Sequence, residues 1–337
     1  MINSETTIKE LREHQILAEF FPYFIYNTAG DGAGNFNDEN ASLADIEKRN
    51  MTWKASDMIY GLNTLVSNKL EFNKIIYNVY SENEVHMDSE KDNVKLICFP
   101  SRIKRGEKSP WAILASGGAY GAVCSLPESF PVAARLSELG ITVFCLNYRV
   151  AGGETLFPKP MEDLGAAYKY IESRADDFSI DLDRYIVGGF SAGGHLAACW
   201  GTRKLGYVNY GARKPDMLML DYPLINVWDT VNAMPEPINT MMLSGYLGVD
   251  NNEAGCKKYN VDENVTSDYP TTFIIQAEDD PVVPFWNSKQ FTQKLYSEKV
   301  KFFYLHPHSG GHGFGLGTGT EAAGWVDEAV RYWNKLI

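Results

Sequence analysis

Gly189-Phe190-Ser191-Ala192-Gly193 is the stretch in which residue types and spacing first point to chemistry. An apolar run at 185–187 leads into it, and a helix-permissive run at 192–200 follows. A serine between a strand and a helix sits on a tight turn, with strained backbone angles and an exposed hydroxyl. Side chains two positions before and two positions after it would collide, which accounts for Gly189 and Gly193. The following helix turns its free N–H groups and positive dipole end toward the same hydroxyl. The pentapeptide alone arises by chance often enough to settle nothing, so the rest of the chain decides.

A serine hydroxyl is a weak nucleophile until a base takes its proton, and the base needs a carboxylate to fix its tautomer. On such a scaffold the expected chain order is serine, acid, histidine, with the last two on loops after late strands. A strand expected at 272–276 is followed by Ala277-Glu278-Asp279-Asp280-Pro281-Val282-Val283-Pro284. A strand expected at 301–305 is followed by Ser309-Gly310-Gly311-His312-Gly313-Phe314. Asp280 is the preferred acid because it directly precedes the segment that turns into the next helix. Asp279 is the next choice, and a solvated acidic turn would account for Glu278, Asp279 and Asp280 alike. His312 is preferred over His306 and His308, since its glycine neighbours allow close backbone approach and loop adjustment. His195, four residues past the serine, reads as a packing or hydrogen-bonding residue.

A tetrahedral intermediate also needs donors aimed at its oxygen, and losing one such donor costs about 3–4 kcal/mol of barrier. The N–H of Ala192 is one candidate. The loop Ser116-Gly117-Gly118-Ala119-Tyr120-Gly121 supplies the others, with Gly117 and Gly118 as the expected donors. Tyr120, Phe190 and Phe314 adjoin these groups and are candidate substrate contacts. No cofactor is called for, and no histidine–cysteine spacing suits a metal.

The 337 residues, 45% of them hydrophobic, allow one large core plus an appendage. Lysine and arginine number 31 against 43 acidic residues, a net charge of −12 without any cationic run. Nucleic-acid binding, which draws on clustered cations, is therefore disfavoured, and a neutral small-molecule or oligosaccharide substrate fits better. The five cysteines (Cys98, Cys124, Cys145, Cys199, Cys256) are scattered through mostly apolar segments, as in a reducing compartment. The N-terminus lacks a basic n-region and a cleavage pattern, and the apolar run 17–26 is too short to span a bilayer. The expectation is a cytoplasmic protein without membrane contact.

Those residues need an alternating scaffold to meet. Strands are expected at 74–80 and 94–99, as a hairpin around an acidic turn at 81–92, and then at 111–116, 141–146, 185–189 and 217–221. Helices are expected at 128–139, 161–173, 192–205, 286–297 and 321–336. The alternation predicts an α/β fold, a mainly parallel central sheet with helices on both faces. Residues 226–268 break the rhythm and read as a rim insertion. Residues 1–73 read as an N-terminal helical extension ahead of a catalytic domain at 74–337. Thr7-Ile8-Lys9-Glu10 has the form of a capping box opening a helix, and 42–65 looks helical but uneven. Gly30-Asp31-Gly32-Ala33-Gly34 reads as a loop. The extension is read first as a lid over the site, with a surface for a homo-oligomer or plain packing as the other readings, and its aromatic residues at 20–26 with Trp53 as a lid or sugar-stacking surface.

The glycine loop, Leu146-Asn147-Tyr148-Arg149-Val150, the run 158–164, Gly189 through Ala197, 280–284 and Gly310-Gly311-His312-Gly313-Phe314 together resemble the α/β-hydrolase esterases of the acetyl-xylan or bifunctional acetyl-xylan/feruloyl type, within the lipase–esterase superfamily. The likeness covers about residues 94–337. It implies an α/β-hydrolase fold and a cofactor-free serine esterase that removes small acyl groups, often acetyl, from sugars or similar alcohols. Ser191 would be nucleophile, His312 base and then acid, and Asp280 the orienting group. Feruloyl esterase and short-chain lipase activities are the alternatives, ahead of a serine peptidase or a non-catalytic binding protein of the same fold. Two departures stand out: Ala119 where many relatives carry a third glycine, and Ser116 where related families have histidine or proline.

Overall fold

Apolar runs alternating with amphipathic segments build one eight-stranded sheet and its covering helices. In the computed structural model the described residues are 2–28, 34–50, 52–103, 108–152, 156–236, 238–247 and 251–336. The N-terminal part carries α1 (Ile8–Glu13), the short β1 (Tyr26–Asn27), α2 (Leu43–Arg49) and α3 (Ala55–Phe72). There follow β2 (Ile76–Asn78), α4 (Glu82–Met87), β3 (Lys95–Phe99), β4 (Ser109–Ala115), β5 (Ala122–Val123), α5 (Ser129–Glu138), β6 (Thr142–Asn147) and α6 (Lys159–Glu172). The second half holds β7 (Ile180–Phe190), α7 (Ser191–Trp200), β8 (Met217–Asp221), α8 (Val227–Asn232), α9 (Ile238–Leu247) and α10 (Glu253–Tyr259). It closes with β9 (Thr271–Ile275), α11 (Trp286–Ser297), β10 (Phe302–Leu305) and α12 (Trp325–Asn334).

The sheet order is β10-β9-β8-β7-β4-β6-β3-β2. β3 runs antiparallel to both β2 and β6, and every other pairing is parallel. All residues of β3, β6 and β8 are buried, so both sheet faces are covered and the strands are continuous apolar runs rather than alternating ones. Each fully buried leucine, isoleucine or phenylalanine there contributes about 1.5–3 kcal/mol. The expected α/β-hydrolase arrangement is thus present.

Several boundaries differ from expectation. The segment 81–92 is not an open turn: Ser81 and Glu84 form a capping box that starts α4, and a 3-10 turn at Ser89–Asn93 follows. The uneven stretch 42–65 is two helices, with α2 opened by a Ser42–Asp45 capping box and α3 running on to Phe72. The helix after the serine stops at Trp200, and the last helix begins only after Gly324, whose φ is +87°. Residues 226–268 hold α8, α9 and α10. Gly30 to Ala33 of the glycine run lie outside the described residues.

The N-terminal elements join the main core. Thr7 and Glu10 make the expected capping box, and Ile8, Leu11, Leu17, Phe20 and Phe24 are buried in the same apolar cluster as the sheet. α3 lies against α5, and β1 pairs antiparallel with β5, Tyr26 opposite Val123. Among the described residues no helix is long and apolar enough to cross a membrane, and the five cysteines are buried and unpaired.

Candidate functional site

β7 passes directly into α7 at Ser191, whose φ of +52° is left-handed. For a residue with a Cβ this conformation costs on the order of 1–3 kcal/mol and persists only where the surroundings enforce it. The enforcement is steric. A Cβ on Gly189 would lie 2.1 Å from the Gly193 carbonyl oxygen, and a Cβ on Gly193 would lie 2.1 Å from the Ala115 oxygen. Only glycine at both positions lets β7, the turn and the end of β4 approach this closely.

Two loops at the same end of the sheet bring the remaining groups to the serine. Ser191 Oγ lies 2.9 Å from His312 Nε2, and His312 Nδ1 lies 2.8 Å from Asp280 Oδ2. A carboxylate can only accept, so Nδ1 carries the ring proton and Nε2 offers its lone pair to the serine O–H. The Asp280 side chain is 0% exposed and that of His312 13%. Asp280 Oδ1 accepts the N–H groups of Val282 at 2.8 Å and Val283 at 2.9 Å. Gln276 donates from Nε2 to Asp280 Oδ2 at 3.2 Å and to the Val283 carbonyl at 2.7 Å. The carboxylate is thereby locked in orientation before it meets the imidazole.

The neighbouring acids and histidines have other partners. Asp279 Oδ1 accepts the N–H groups of Gly310 at 3.0 Å and Gly311 at 2.8 Å, tying down the histidine loop. Glu278 is shared by His306 and His308, each at 2.9 Å. His195 is buried between the Tyr120 hydroxyl at 2.7 Å and the Tyr259 carbonyl at 2.8 Å. Burial pushes its pKa down to about 4, so it is a neutral packing residue.

The glycine loop runs directly beside the serine, since a Cβ on Gly117 would come within 2.8 Å of Ser191 Cβ. Its donors differ from expectation. The Gly117 N–H is already donated to Glu128 Oε2 at 2.5 Å and is not free for an oxyanion. The N–H groups of Gly118 and Ala192 have no hydrogen-bond partner among the described residues. Ala119 and Tyr120, with φ of +51° and +57°, occupy left-handed backbone that a third glycine would adopt without strain. The loop is held there by the Tyr246 hydroxyl on the Ala119 carbonyl and the Ala151 N–H on the Tyr120 carbonyl, the latter at 2.8 Å.

The three candidate substrate contacts are buried side chains. Tyr120, Phe190 and Phe314 are each 1% exposed. Tyr120 spends its hydroxyl on His195, while Phe190 and Phe314 pack against the Tyr222 ring at 6.2 and 4.8 Å. Their rings are packed inside the protein around Tyr222 and His195.

Four residues near the site escaped the sequence reading: Gln276, Glu128, Tyr222 and Thr52. Tyr222 follows β8 at the sheet's C-terminal edge, where α/β folds gather functional groups, and that position was a usable signal. Thr52 comes from the N-terminal segment and donates its Oγ1 to the His312 carbonyl at 2.5 Å. Beside it, a Cβ on Gly313 would lie 3.3 Å from Trp53 Nε1.

The family profile described as BD-FAE matches residues 99–295. Over 257 residues the chain is 27% identical to endo-1,4-beta-xylanase B of Butyrivibrio fibrisolvens, covering 74% of this chain and 39% of the relative. Over 252 residues it is 28% identical to acetylxylan esterase of Xylanibacter ruminicola, covering 74% of this chain and 49% of the relative. The chain therefore spans less than half the length of both curated relatives. Among solved structures, an acetyl ester-xyloside bifunctional hydrolase from Caldicellulosiruptor lactoaceticus matches with a TM-score of 0.65 at 25% identity, covering 77% of this chain and 96% of that one.

Proposed function

The chain belongs to the BD-FAE family of α/β-hydrolase esterases, and from that premise we propose that it hydrolyses short-chain esters, acetyl esters of carbohydrates first, through an acyl-enzyme on Ser191. The observation that carries the reading is the continuous relay from Ser191 Oγ through His312 to Asp280, at 2.9 and 2.8 Å, beside unpaired backbone N–H groups. Ser191 attacks the ester carbonyl while His312 Nε2 takes its proton, and Asp280 steadies the imidazolium. The oxyanion falls to the N–H groups of Ala192 and Gly118, Gly117 being committed to Glu128. His312 then protonates the departing alcohol and removes a proton from water, which attacks the acyl-enzyme. Collapse restores Ser191 and releases the carboxylic acid. Acetyl and carbohydrate preference draws support from the names of the relatives, one an acetylxylan esterase. Five buried, unpaired cysteines suit residence in the cytoplasm.

Two measurements test this reading together. A fluorophosphonate probe is expected to label Ser191, and turnover of p-nitrophenyl esters is expected to fall steadily from acetyl to octanoyl. Absence of labelling would support a non-catalytic protein, and a rise with chain length would support a lipase.

Residues 1–73 are assigned to the same reaction as a strap on the base. Thr52 makes the hydrogen bond to the histidine loop, and one neutral hydrogen bond is worth about 1 kcal/mol, about a fivefold effect when it orients a reacting group. Thr52→Val is expected to lower kcat about fivefold with KM little changed, and Thr52→Ser, which keeps the hydroxyl, to restore it. Equal kcat in the valine and serine variants would remove the assignment.

A further inference from the structure

Glu128 immediately precedes α5, where an acid ordinarily faces solvent near the helix N-terminus, yet it is only 4% exposed. Its two oxygens are spent in different directions. Oε2 accepts the Gly117 N–H of the donor loop at 2.5 Å, and Oε1 accepts the Tyr222 O–H at 3.1 Å. Tyr222 is fully buried with a left-handed φ of +37°, and its ring centroid lies 4.6 Å from that of His312. The backbone of Gly315, three residues past the base, favours charge on the Tyr222 hydroxyl. Gly315 in turn leaves no room for a side chain, since a Cβ there would lie 2.3 Å from the carbonyl oxygen of Pro127, the residue before Glu128. One carboxyl and one phenol thus join two loops that leave β4 and β10, strands separated by three others in the sheet.

An acid kept in an apolar interior is costly, and a hydrophobic residue of like size would fill the space with less penalty. Burial pushes the Glu128 carboxyl up to about 7, against the Gly117 N–H, the nearby His312 and the Tyr222 hydroxyl, which hold it down. The other titratable groups that feel it are Asp221 and Tyr222 at the end of β8, Tyr148 after β6 and Cys124 after β5. Of all these groups only His312 can become a cation, and in acyl transfer it does so at the moment of reaction.

We propose that Glu128 and Tyr222 are a positioning pair that sets the oxyanion loop against the histidine loop, with Glu128 lending negative charge to the imidazolium. The proposal rests on the acyl-transfer reading above. It is tested on the full chain by p-nitrophenyl acetate kinetics across roughly pH 5–9, with fluorophosphonate labelling of Ser191 alongside. Glu128→Gln keeps shape and removes charge. It is expected to lower kcat about 10- to 100-fold with KM little changed. The acidic limb of kcat/KM should also move to lower pH, because an imidazolium without its anionic neighbour forms less readily. A purely structural role would not move that limb. Tyr222→Phe cuts the same link, so the double variant should lose no more than the worse single one. Wild-type kcat and an unmoved limb in Glu128→Gln, or losses that multiply in the double variant, would overturn the pair. Should Glu128→Gln fail to fold, Tyr222→Phe decides alone: a kcat loss at constant KM supports the pair and unchanged kcat overturns it. A wild-type chain that neither turns over ester nor takes the probe overturns the esterase reading too, an outcome distinct from an active wild type with an indifferent variant.

Discussion

Ser191→Ala is expected to lower kcat on p-nitrophenyl acetate by on the order of 10^6-fold, the scale seen when a serine nucleophile is removed from a relay that acts as a unit. What survives is the contribution of the backbone donors and of binding, still above the rate in water. The fold should be untouched, because alanine occupies less space and keeps the φ of +52° that Gly189 and Gly193 impose. Ser191→Gly makes a complementary point. Glycine adopts that angle without penalty, so this variant should be as inactive as the alanine one yet melt higher, by about 1 kcal/mol of strain released. Melting curves and initial rates on the same preparations check both halves. Undiminished turnover in Ser191→Ala would place the chemistry elsewhere.

The second large effect is expected at Asp280. Asp280→Asn should lower kcat by roughly 10^4-fold while leaving KM and stability close to wild type. The direction follows from the hydrogen bonds. Oδ1 accepts two backbone N–H groups, those of Val282 and Val283, so an asparagine must put its carbonyl oxygen there or lose both. Its NH2 then faces His312 Nδ1, where Asp280 Oδ2 stood at 2.8 Å. Two donors cannot share that contact, so Nδ1 gives up its proton and Nε2 carries it instead. A protonated Nε2 has no lone pair for the serine proton. If Asp280→Asn retained wild-type kcat and Asp279→Asn lost it, the orienting role would belong to Asp279, which in the structure ties down Gly310 and Gly311.

The meeting of Ser191, His312 and Asp280 was legible in the sequence because local rules constrain each of them. The serine turn demands glycines at fixed offsets, and apolar runs ahead of Asp280 and His312 announce the strands that carry them. The buried parallel strands were equally plain, as short apolar runs flanked by turn residues. What was lost depends on contacts between distant segments. Gly117 and Gly118 look alike in sequence, and only the arrival of Glu128 spends one N–H and spares the other. Glu128 itself reads as an ordinary acid at a helix start, since nothing in its neighbours reveals that it turns inward. Tyr120, Phe190 and Phe314 adjoin the serine, histidine and glycine loop along the chain, but adjacency in sequence does not say which way a ring points. The capping box Ser81-Glu82-Asn83-Glu84 was visible and was read instead as part of a charged turn. Thr52 reaches a partner 260 positions away, and no periodicity encodes that meeting.

The bond from Thr52 to the His312 carbonyl has a practical corollary for anyone recombining such enzymes. A graft limited to the sheet and its covering helices would inherit Ser191, Asp280 and His312 yet seat the imidazole on a loop missing one of its supports. Chimeras intended to exchange selectivity between relatives are best cut upstream of Thr52, so that the head of the donor travels together with the ring it braces.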